Sequence, residues 1–197
     1  QADFIQMGNI QLLPLGDPKT GSLSGNIEHG VDSRIFVNKS GLRYGDEGGR
    51  RDDMTRDLFA QEDAYMWIVM DSDTYPTGDE VNNFGETANQ LVEAGRAVKA
   101  DTLDELAAAM GVDAENLKAT IEQYNADCAA GADQILGKDP KYMTNLGEGP
   151  YYAVKARPMS LGAIGGVLVN SNLQVIKADG TVIGGLYAAG ADVAEFY

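Results

Sequence analysis

The sequence predicts an α+β fold, in which a pair of helices is set among short strands. Three observations support this prediction. Residues 34–38 and 65–70 are runs of β-branched and aromatic side chains, which favour a pleated, half-buried surface. Residues 102–131 carry the cap residues and apolar spacing of two helices. After residue 150, short strand-like runs are separated by glycine.

The composition is that of a globular protein and argues against several classes of function. Hydrophobic residues make up 44% and charged residues 23% of the 197 residues, which argues against disorder. Fifteen Lys and Arg face 30 Asp and Glu, and the net charge of −15 would repel a nucleic-acid backbone. A single cysteine, Cys128, and a single histidine, His29, exclude an intrachain disulfide framework and a cysteine- or histidine-based metal site.

The ends of the chain suggest a piece of a longer protein. The chain begins inside a strand-like run without the basic region of a signal peptide, and it stops at Tyr197 without a polar tail. No run approaches the roughly 18 apolar residues of a membrane-spanning helix. We therefore expect an internal fragment without a membrane span, and the sequence does not indicate a localisation.

The first third of the chain is predicted to consist mainly of strands. Residues 3–15 form a mostly apolar strand that Pro14 limits, and residues 16–25 form a loop. Residues 34–38 form the next strand, a turn at Lys39-Ser40-Gly41 follows, and residues 42–44 return.

The end of this hairpin is predicted to place two arginines at a helix entry. Gly48-Gly49 ends the returning strand, and Asp52 or Asp53 can cap a helix that begins near Met54. Arg50 and Arg51 lie between these signals, where a guanidinium could hold a carboxylate through two parallel hydrogen bonds. The alternative interpretation is a solvated basic pair, and the hairpin by itself favours that alternative.

The middle of the chain carries the helix signals. Residues 86–94 have a short apolar stripe, and Gly95 can end that helix. Residues 102–105 are a capping box that starts a helix closed by Gly111. The next helix is capped by Asp113 and ends at Gly131; its apolar stripe consists of Leu117, Ile121, Tyr124 and Cys128. Cys128 is therefore interpreted as a small core residue.

The last quarter is predicted to return to strands. Residues 150–156 form one strand and Val167–Val169 another, after the pair Gly165-Gly166. Residues 172–176 and 180–183 form a small hairpin, and residues 184–190 form a strand that ends in glycine.

Four motifs in a fixed order resemble the flavoproteins of the fumarate reductase and succinate dehydrogenase family, especially their soluble relatives that reduce other unsaturated acids. The hairpin reads V-N, turn, G-x-R-[FY], acidic pair and R-D; the helical pair reads T-L-x-E-L-A with Y-N after it. The closing segment reads G-G-x-x-[VI]-N, a hairpin, and G-L-Y-A-A-G. The resemblance implies an α+β cap or substrate domain at 32–148, between partial FAD-domain segments at 1–31 and 149–197.

The resemblance also implies a chemistry and a set of site residues. The family uses FAD to reduce the C=C bond of an α,β-unsaturated carboxylate, and the family's active-site acid falls on Arg51. Because arginine is always protonated, a carboxylate must resupply its proton; Glu28 is the first candidate and Glu47 the second. For both, a surface carboxylate paired with Arg43 or Arg50 is the alternative, and for Glu47 it is favoured.

Substrate and cofactor positions follow from the same resemblance. Substrate contacts are expected at Gly8, His29 and Arg50. Flavin contacts are expected at backbone positions where glycine allows close approach; they are Gly165, Gly166, Gly190 and Ala191. No metal is expected, the partner is a small unsaturated carboxylate, and the electron donor is not indicated.

The chain departs from the family at three places. Where fumarate reductases read Q-x-H-P and H-T-M-G-G, this sequence has Gly8 and Gly162 at the histidine positions. The glycine-rich strand-turn-helix that holds the FAD diphosphate is missing, so we expect this chain alone to hold FAD weakly. Two rival functions remain: a ketone or steroid dehydrogenase, which should lack an arginine at position 51, and a non-catalytic module that captures an anion.

Overall fold

The computed structural model describes residues 10–16, 18–19, 34–82, 84–163 and 166–194. The chain divides into two units, Leu13–Met159 and Gln1–Leu12 together with Ser160–Tyr197. The strands are β1 (Ile10–Gly16), β2 (Ile35–Val37), β3 (Met66–Met70), β4 (Ala97–Ala100), β5 (Tyr151–Ala163), β6 (Gln174–Ile176) and β7 (Val182–Tyr187). The α-helices are α1 (Arg51–Phe59), α2 (Ala88–Glu93), α3 (Leu103–Met110) and α4 (Ala114–Ala130). The predicted mixture of helix and sheet is confirmed.

The long strand β5 organises the larger sheet. The strand order is β1-β5-β3-β2, and β4 also pairs with β5. The pairs β2–β3, β3–β5 and β4–β5 are antiparallel, and Trp67 of β3 lies directly opposite Lys155 of β5. All five residues of β3 are buried, as expected for an apolar run that is covered on both faces.

Side chains alternate between the two faces of this sheet, and each face has its own core. One face packs Ile35, Val69 and Ala153 against the apolar stripes of α3 and α4. The other face packs Ile68 and Val154 against α1 and α2; the residues that meet them there include Leu58, Ala88 and Leu91. The strands therefore form a middle layer between two layers of helices.

Local signals set the ends of most helices as the sequence predicts. Thr102 and Glu105 form the predicted capping box of α3, and Gly111 closes it in the left-handed conformation with φ 71°. Asp113 caps α4 by accepting a hydrogen bond from the backbone N–H of Asn116, and Gly131 closes that helix with φ 70°. Each cap satisfies backbone groups that the helix leaves without an internal partner.

The entry of α1 differs from the prediction. The helix begins at Arg51, not near Met54, and its N-cap is Arg50, whose side chain makes no capping hydrogen bond. Asp52 and Asp53 therefore lie within the first turn and do not cap it. Carboxylates in the first turn interact favourably with the helix dipole without occupying the cap position.

The predicted returning strand at residues 42–44 is also wrong, since only a single bridge joins Val37 to Arg43. The side chain of Asn38 accepts the backbone N–H groups of Ser40 (3.0 Å) and Leu42 (3.1 Å). The backbone N–H of Phe36 donates to the side chain of Glu47 and not to a carbonyl of the predicted returning strand. The turn is nevertheless well anchored, because Thr120 of α4 donates a hydrogen bond to the carbonyl of Gly41 (2.9 Å).

The smaller unit contains the predicted hairpin. Strands β6 and β7 are antiparallel, with Ile176 opposite Val182. The predicted strand at Val167–Val169 is reduced to two bridges, from Val167 to Val193 and from Val169 to Val175. These partners lie in different segments, so a continuous ladder does not form. In the described part of the chain, no helix has the length and apolarity to cross a membrane.

Replacing Thr102 by Ala should lower the free energy of unfolding by about 1 kcal/mol, because the backbone N–H of Glu105 loses its acceptor. Urea denaturation monitored by circular dichroism measures this change. Thr144 is exposed and lies outside the helices, so Thr144→Ala is the control and should leave stability unchanged. Equal losses in the two variants would show that the capping box does not hold α3.

Candidate functional site

Two exposed arginines stand at the entry of α1. Arg50 is the residue before the helix and Arg51 is its first residue. Neither guanidinium forms an ion pair or hydrogen bond with any residue in the described ranges, whereas Arg56 on the same helix binds Asp53 at 2.7 Å. Together with the unbonded N–H groups of a first helical turn, two such guanidinium groups make a favourable environment for a carboxylate.

A tight glycine turn brings the chain to this corner. The carboxylate of Asp46 accepts the backbone N–H of Gly48 (2.8 Å), and the Asp46 carbonyl accepts that of Gly49 (3.1 Å). A Cβ at Gly48 would lie 2.7 Å from the ring of Tyr142. A side chain at position 48 would require this ring to shift, so glycine is the residue that the turn accommodates without rearrangement.

Glu47, the second residue of this turn, is buried, although the sequence favoured a surface carboxylate. It pairs with Arg43, as one of the alternatives held: Arg43 donates from Nε to Oε1 (2.8 Å) and from Nη2 to Oε2 (2.7 Å). Oε1 also accepts the backbone N–H of Phe36 at 3.1 Å. Both carboxylate oxygens of Glu47 therefore accept hydrogen bonds from Arg43, and one of them also binds the backbone of β2.

The Arg43–Glu47 pair belongs to a larger network of charges. Arg43 Nη2 also donates to Asp133 Oδ2 (2.9 Å), and its guanidinium lies 4.6 Å from the centre of the Tyr124 ring. The buried Lys138 donates to the Tyr124 hydroxyl (3.1 Å), and its Nζ lies 3.7 Å from Glu47. The network ties the segment from Arg43 to Glu47 to α4 and to the loop that follows α4.

The charges of the network shift one another's pKa values. Burial would lower the pKa of Arg43, but its hydrogen bonds to Glu47 and Asp133 raise it further above its ordinary value. Burial would raise the pKa of Asp133, but the hydrogen bond from Arg43 and backbone N–H groups lower it to about 2. Both groups are therefore charged throughout the physiological range.

Four of the predicted site residues lie outside the described residues: Gly8, Glu28, His29 and Gly165. Among the predicted flavin contacts, the glycine at position 166 is required by packing within the smaller unit, because a Cβ there would collide with the backbone of Asp192 and Val193. Gly190 has φ +67° and open space where a side chain would stand, and Ala191 is exposed.

The end of β7 and the residues that follow it are exposed in the smaller unit. Gly190 and Ala191 offer open backbone, and Leu186 (44% exposed) and Tyr187 (62% exposed) lie just before them on β7. The described residues contain no glycine-rich strand-turn-helix of the kind that holds a dinucleotide phosphate.

The sequence did not predict the roles of Asp133 and Lys138, which were assigned to a polar excursion. They contact Arg43 and Glu47, which lie roughly 90 residues away along the chain, and no local pattern marks that pairing.

Cys128 is half-buried beside the core, and burial raises the pKa of its thiol, which agrees with its interpretation as a core residue. The described residues contain no His, Cys, Asp and Glu group that could hold a metal ion.

Comparisons with known proteins match the whole chain. The family model described as FAD binding domain matches residues 1–197. The NADH:acrylate oxidoreductase of Vibrio harveyi is 36% identical over 96% of this chain and 18% of its own length. The urocanate reductase of Eggerthella lenta is 32% identical over 96% of this chain and 31% of its own length. The chain thus spans 18% and 31% of the length of these two relatives.

Solved structures show the same fold. A flavocytochrome c3 fumarate reductase in an open conformation matches with a TM-score of 0.73 and 27% identity, over 94% of this chain and 31% of that one. A 3-ketosteroid Δ1-dehydrogenase from Sterolibacterium denitrificans matches with a TM-score of 0.68 over 98% of this chain and 39% of that one. At 21% identity, the second likeness concerns the fold alone.

Replacing Asp133 by Asn should lower stability at neutral pH and matter progressively less in acid. Because the folded-state pKa of Asp133 is about 2, below its ordinary value of 3.8, its contribution is complete above about pH 4 and is lost as the pH falls towards 2. Urea denaturation of both proteins between pH 7 and pH 2.5 measures the difference. The exposed Asp101 provides the control variant Asp101→Asn. If the loss of unfolding free energy in Asp133→Asn did not become smaller in acid, the proposed link between stability and the pKa of Asp133 would be wrong.

Proposed function

Because this chain belongs to the FAD binding domain family, we propose that it is part of a FAD-dependent oxidoreductase that reduces the C=C bond of an α,β-unsaturated carboxylate. The observation that carries the proposal is the pair of exposed arginines, Arg50 and Arg51, which lack acidic partners among the described residues at the entry of α1. Relatives named for acrylate and urocanate support the substrate class.

We propose that residues 32–148 form the cap or substrate domain and that residues 1–31 and 149–197 are segments of the FAD domain. The division of the chain into Leu13–Met159 and a second unit built from both ends supports an arrangement of this kind. Gly190 and Ala191 would contact the flavin ring. We expect this chain alone to hold FAD weakly, since its described residues offer no diphosphate site.

Bound reduced FAD would supply a hydride to one alkene carbon of the substrate. Arg51 would donate a proton to the other carbon, so that the two transfers together add one hydrogen molecule across the double bond. A neutral guanidine is a strong base, so Arg51 must recover its proton at once from a nearby carboxyl group, which has to be protonated when it donates. Arg50 and His29 would hold the substrate carboxylate, and a bidentate contact from Arg50 would orient it.

Of the two candidate carboxylates for this proton relay, we favour Glu28 over Glu47. Both oxygens of Glu47 already accept hydrogen bonds from Arg43, and one also binds the N–H of Phe36. Moving a proton through Glu47 would weaken its buried ion pair with Arg43, and the loss of such a pair is costly in a low-dielectric environment.

The substrate proposed for this enzyme carries one carboxylate and an apolar or aromatic end. A small dianion such as fumarate needs a partner for each carboxylate, since a buried unpaired charge costs several kcal/mol. Gly8 and Gly162 stand where the fumarate reductases have histidine, and glycine supplies neither a donor nor bulk. Acrylate and urocanate, named for two relatives, are both enoates with a single carboxylate.

Replacing Arg51 by Lys or Ala in the full-length enzyme should reduce alkene reduction at least about a hundredfold, the usual scale of a general-acid contribution. A lysine ammonium cannot reproduce the planar guanidinium fork. Steady-state reduction of an enoate by reduced viologen measures the rate, and the flavin absorbance shows that the cofactor is retained.

Arg56 provides the matched control for this experiment. It lies on the same helix, is exposed and binds Asp53, so Arg56→Lys should keep near-normal turnover. Near-normal turnover in Arg51→Lys would remove Arg51 from the mechanism, and Arg50 would be tested next. Absence of flavin from the full-length protein would instead favour the non-catalytic anion-binding module.

The full-length enzyme should prefer a cinnamate-type acid to fumarate, because the two glycines remove one carboxylate partner and leave room for a longer substrate. The ratio of kcat/KM for the two acids, measured with reduced viologen, checks this expectation. A preference for fumarate of tenfold or more, about 1.4 kcal/mol, would mean that residues outside this chain hold the second carboxylate.

A further inference from the structure

A pocket separate from the arginine pair lies on the Leu13–Met159 unit, where β4 runs beside β5. It is a pocket of about 130 Å³, and its lining contains neither Arg50 nor Arg51. Trp67, Ala97 and Val98 supply much of its apolar wall. A cavity of roughly 150 Å³ accommodates a benzene ring, so this pocket has the size for one small planar group.

Basic side chains are concentrated at this pocket. Lys19, Arg96 and Lys155 all line it, three of the 15 Lys and Arg in a chain with a net charge of −15. Arg96 is bound to Glu86 at 2.6 Å, and Lys19 donates to the carbonyl of Ala94 at 3.3 Å. Those two side chains already have partners within the protein. Lys155 is therefore the basic residue of the pocket that is best suited to bind a ligand.

Lys155 is positioned by aromatic rings. Its Nζ lies 3.6 Å from the centre of the Tyr65 ring and 5.7 Å from that of Trp67, and it forms no ion pair with a residue that the structure describes. Burial, together with the nearby Arg157, lowers the pKa of Lys155. Because burial removes water from this ammonium, a bound anion that replaces the lost hydration would stabilise its charged form.

Trp67 contributes a second feature that points to a ligand. The residue is only 8% exposed, and its indole Nε1–H is buried without a hydrogen-bond acceptor. A buried donor without an acceptor is unfavourable, so a ligand acceptor that reached it would be bound favourably. The pairing of β3 with β5 places Trp67 directly opposite Lys155.

We propose that this pocket binds a small aromatic monocarboxylate, with the carboxylate against the ammonium of Lys155 and the ring against Trp67, Ala97 and Val98. The charge selects an anion, and the size and the apolar wall select a flat, singly charged one. The two cations that are already held add a favourable field without competing for the same oxygen atoms.

The test uses the 197-residue chain and benzoate as the probe. Trp67 is the single tryptophan of the sequence, so its fluorescence reports directly on the pocket. Benzoate should change this fluorescence to saturation, and benzamide, which has the same shape without the charge, should bind at least tenfold more weakly. Neither flavin nor turnover enters the measurement, so its outcome is independent of the proposed reaction.

Variants locate the binding. Lys155→Met should weaken benzoate at least tenfold, and Val98→Phe should do the same by filling the pocket. Lys99→Met is the matched control, because Lys99 lies on the adjacent strand with its ammonium 5.1 Å from the centre of the Tyr152 ring but does not line this pocket; its affinity should stay within twofold.

Three outcomes would overturn the proposal: a fluorescence change that does not saturate, equal affinities for benzoate and benzamide, or undiminished binding in Lys155→Met. The benzamide comparison needs only the unchanged chain, so the proposal stays testable even where a variant fails to fold.

Discussion

The buried ion pair between Arg43 and Glu47 is the interaction on which the arrangement of the candidate site depends. Their side chains are 6% and 1% exposed, so both charges have lost most of their hydration. Such a pair is stable only when further hydrogen bonds satisfy the remaining atoms, and here Phe36 and Asp133 supply them. The segment from Phe36 to Glu47, α4 and the loop after α4 are therefore fixed relative to one another, and α1 starts four residues beyond Glu47.

The same short stretch carries arginines in two opposite states. Arg43 is buried and has carboxylate partners on two sides, whereas Arg50 and Arg51 have none among the described residues. A guanidinium that is already paired contributes to stability, and one that is exposed at a helix entry can bind an anion from solution. The glycine turn at Gly48 separates the two roles, because it directs the chain from the core to the surface.

The sheet explains why a charged residue can stand beside a core. Alternate residues of β3 face opposite layers, and Trp67 lies on the layer that α3 and α4 cover. Lys155 lies opposite Trp67 in the register of β3 and β5, and the rings of Tyr65 and Trp67 accommodate its charge. The aliphatic stem of a lysine packs on apolar surface while its ammonium remains available, which is the condition for a selective anion pocket.

Sequence alone determined the features that arise within a few residues of one another. The capping box at Thr102, the cap at Asp113, the left-handed glycines at positions 41, 111 and 131 and the buried strand β3 are local, since their physics lies within one helical turn or one strand. Motif order also indicated the family and its cofactor. The tertiary structure decided the rest: the lost returning strand, the burial of Glu47, its link to Lys138, and the pocket at Lys155. Desolvation of a charge depends on partners about 90 residues away along the chain, and no local pattern encodes which distant side chain will meet it.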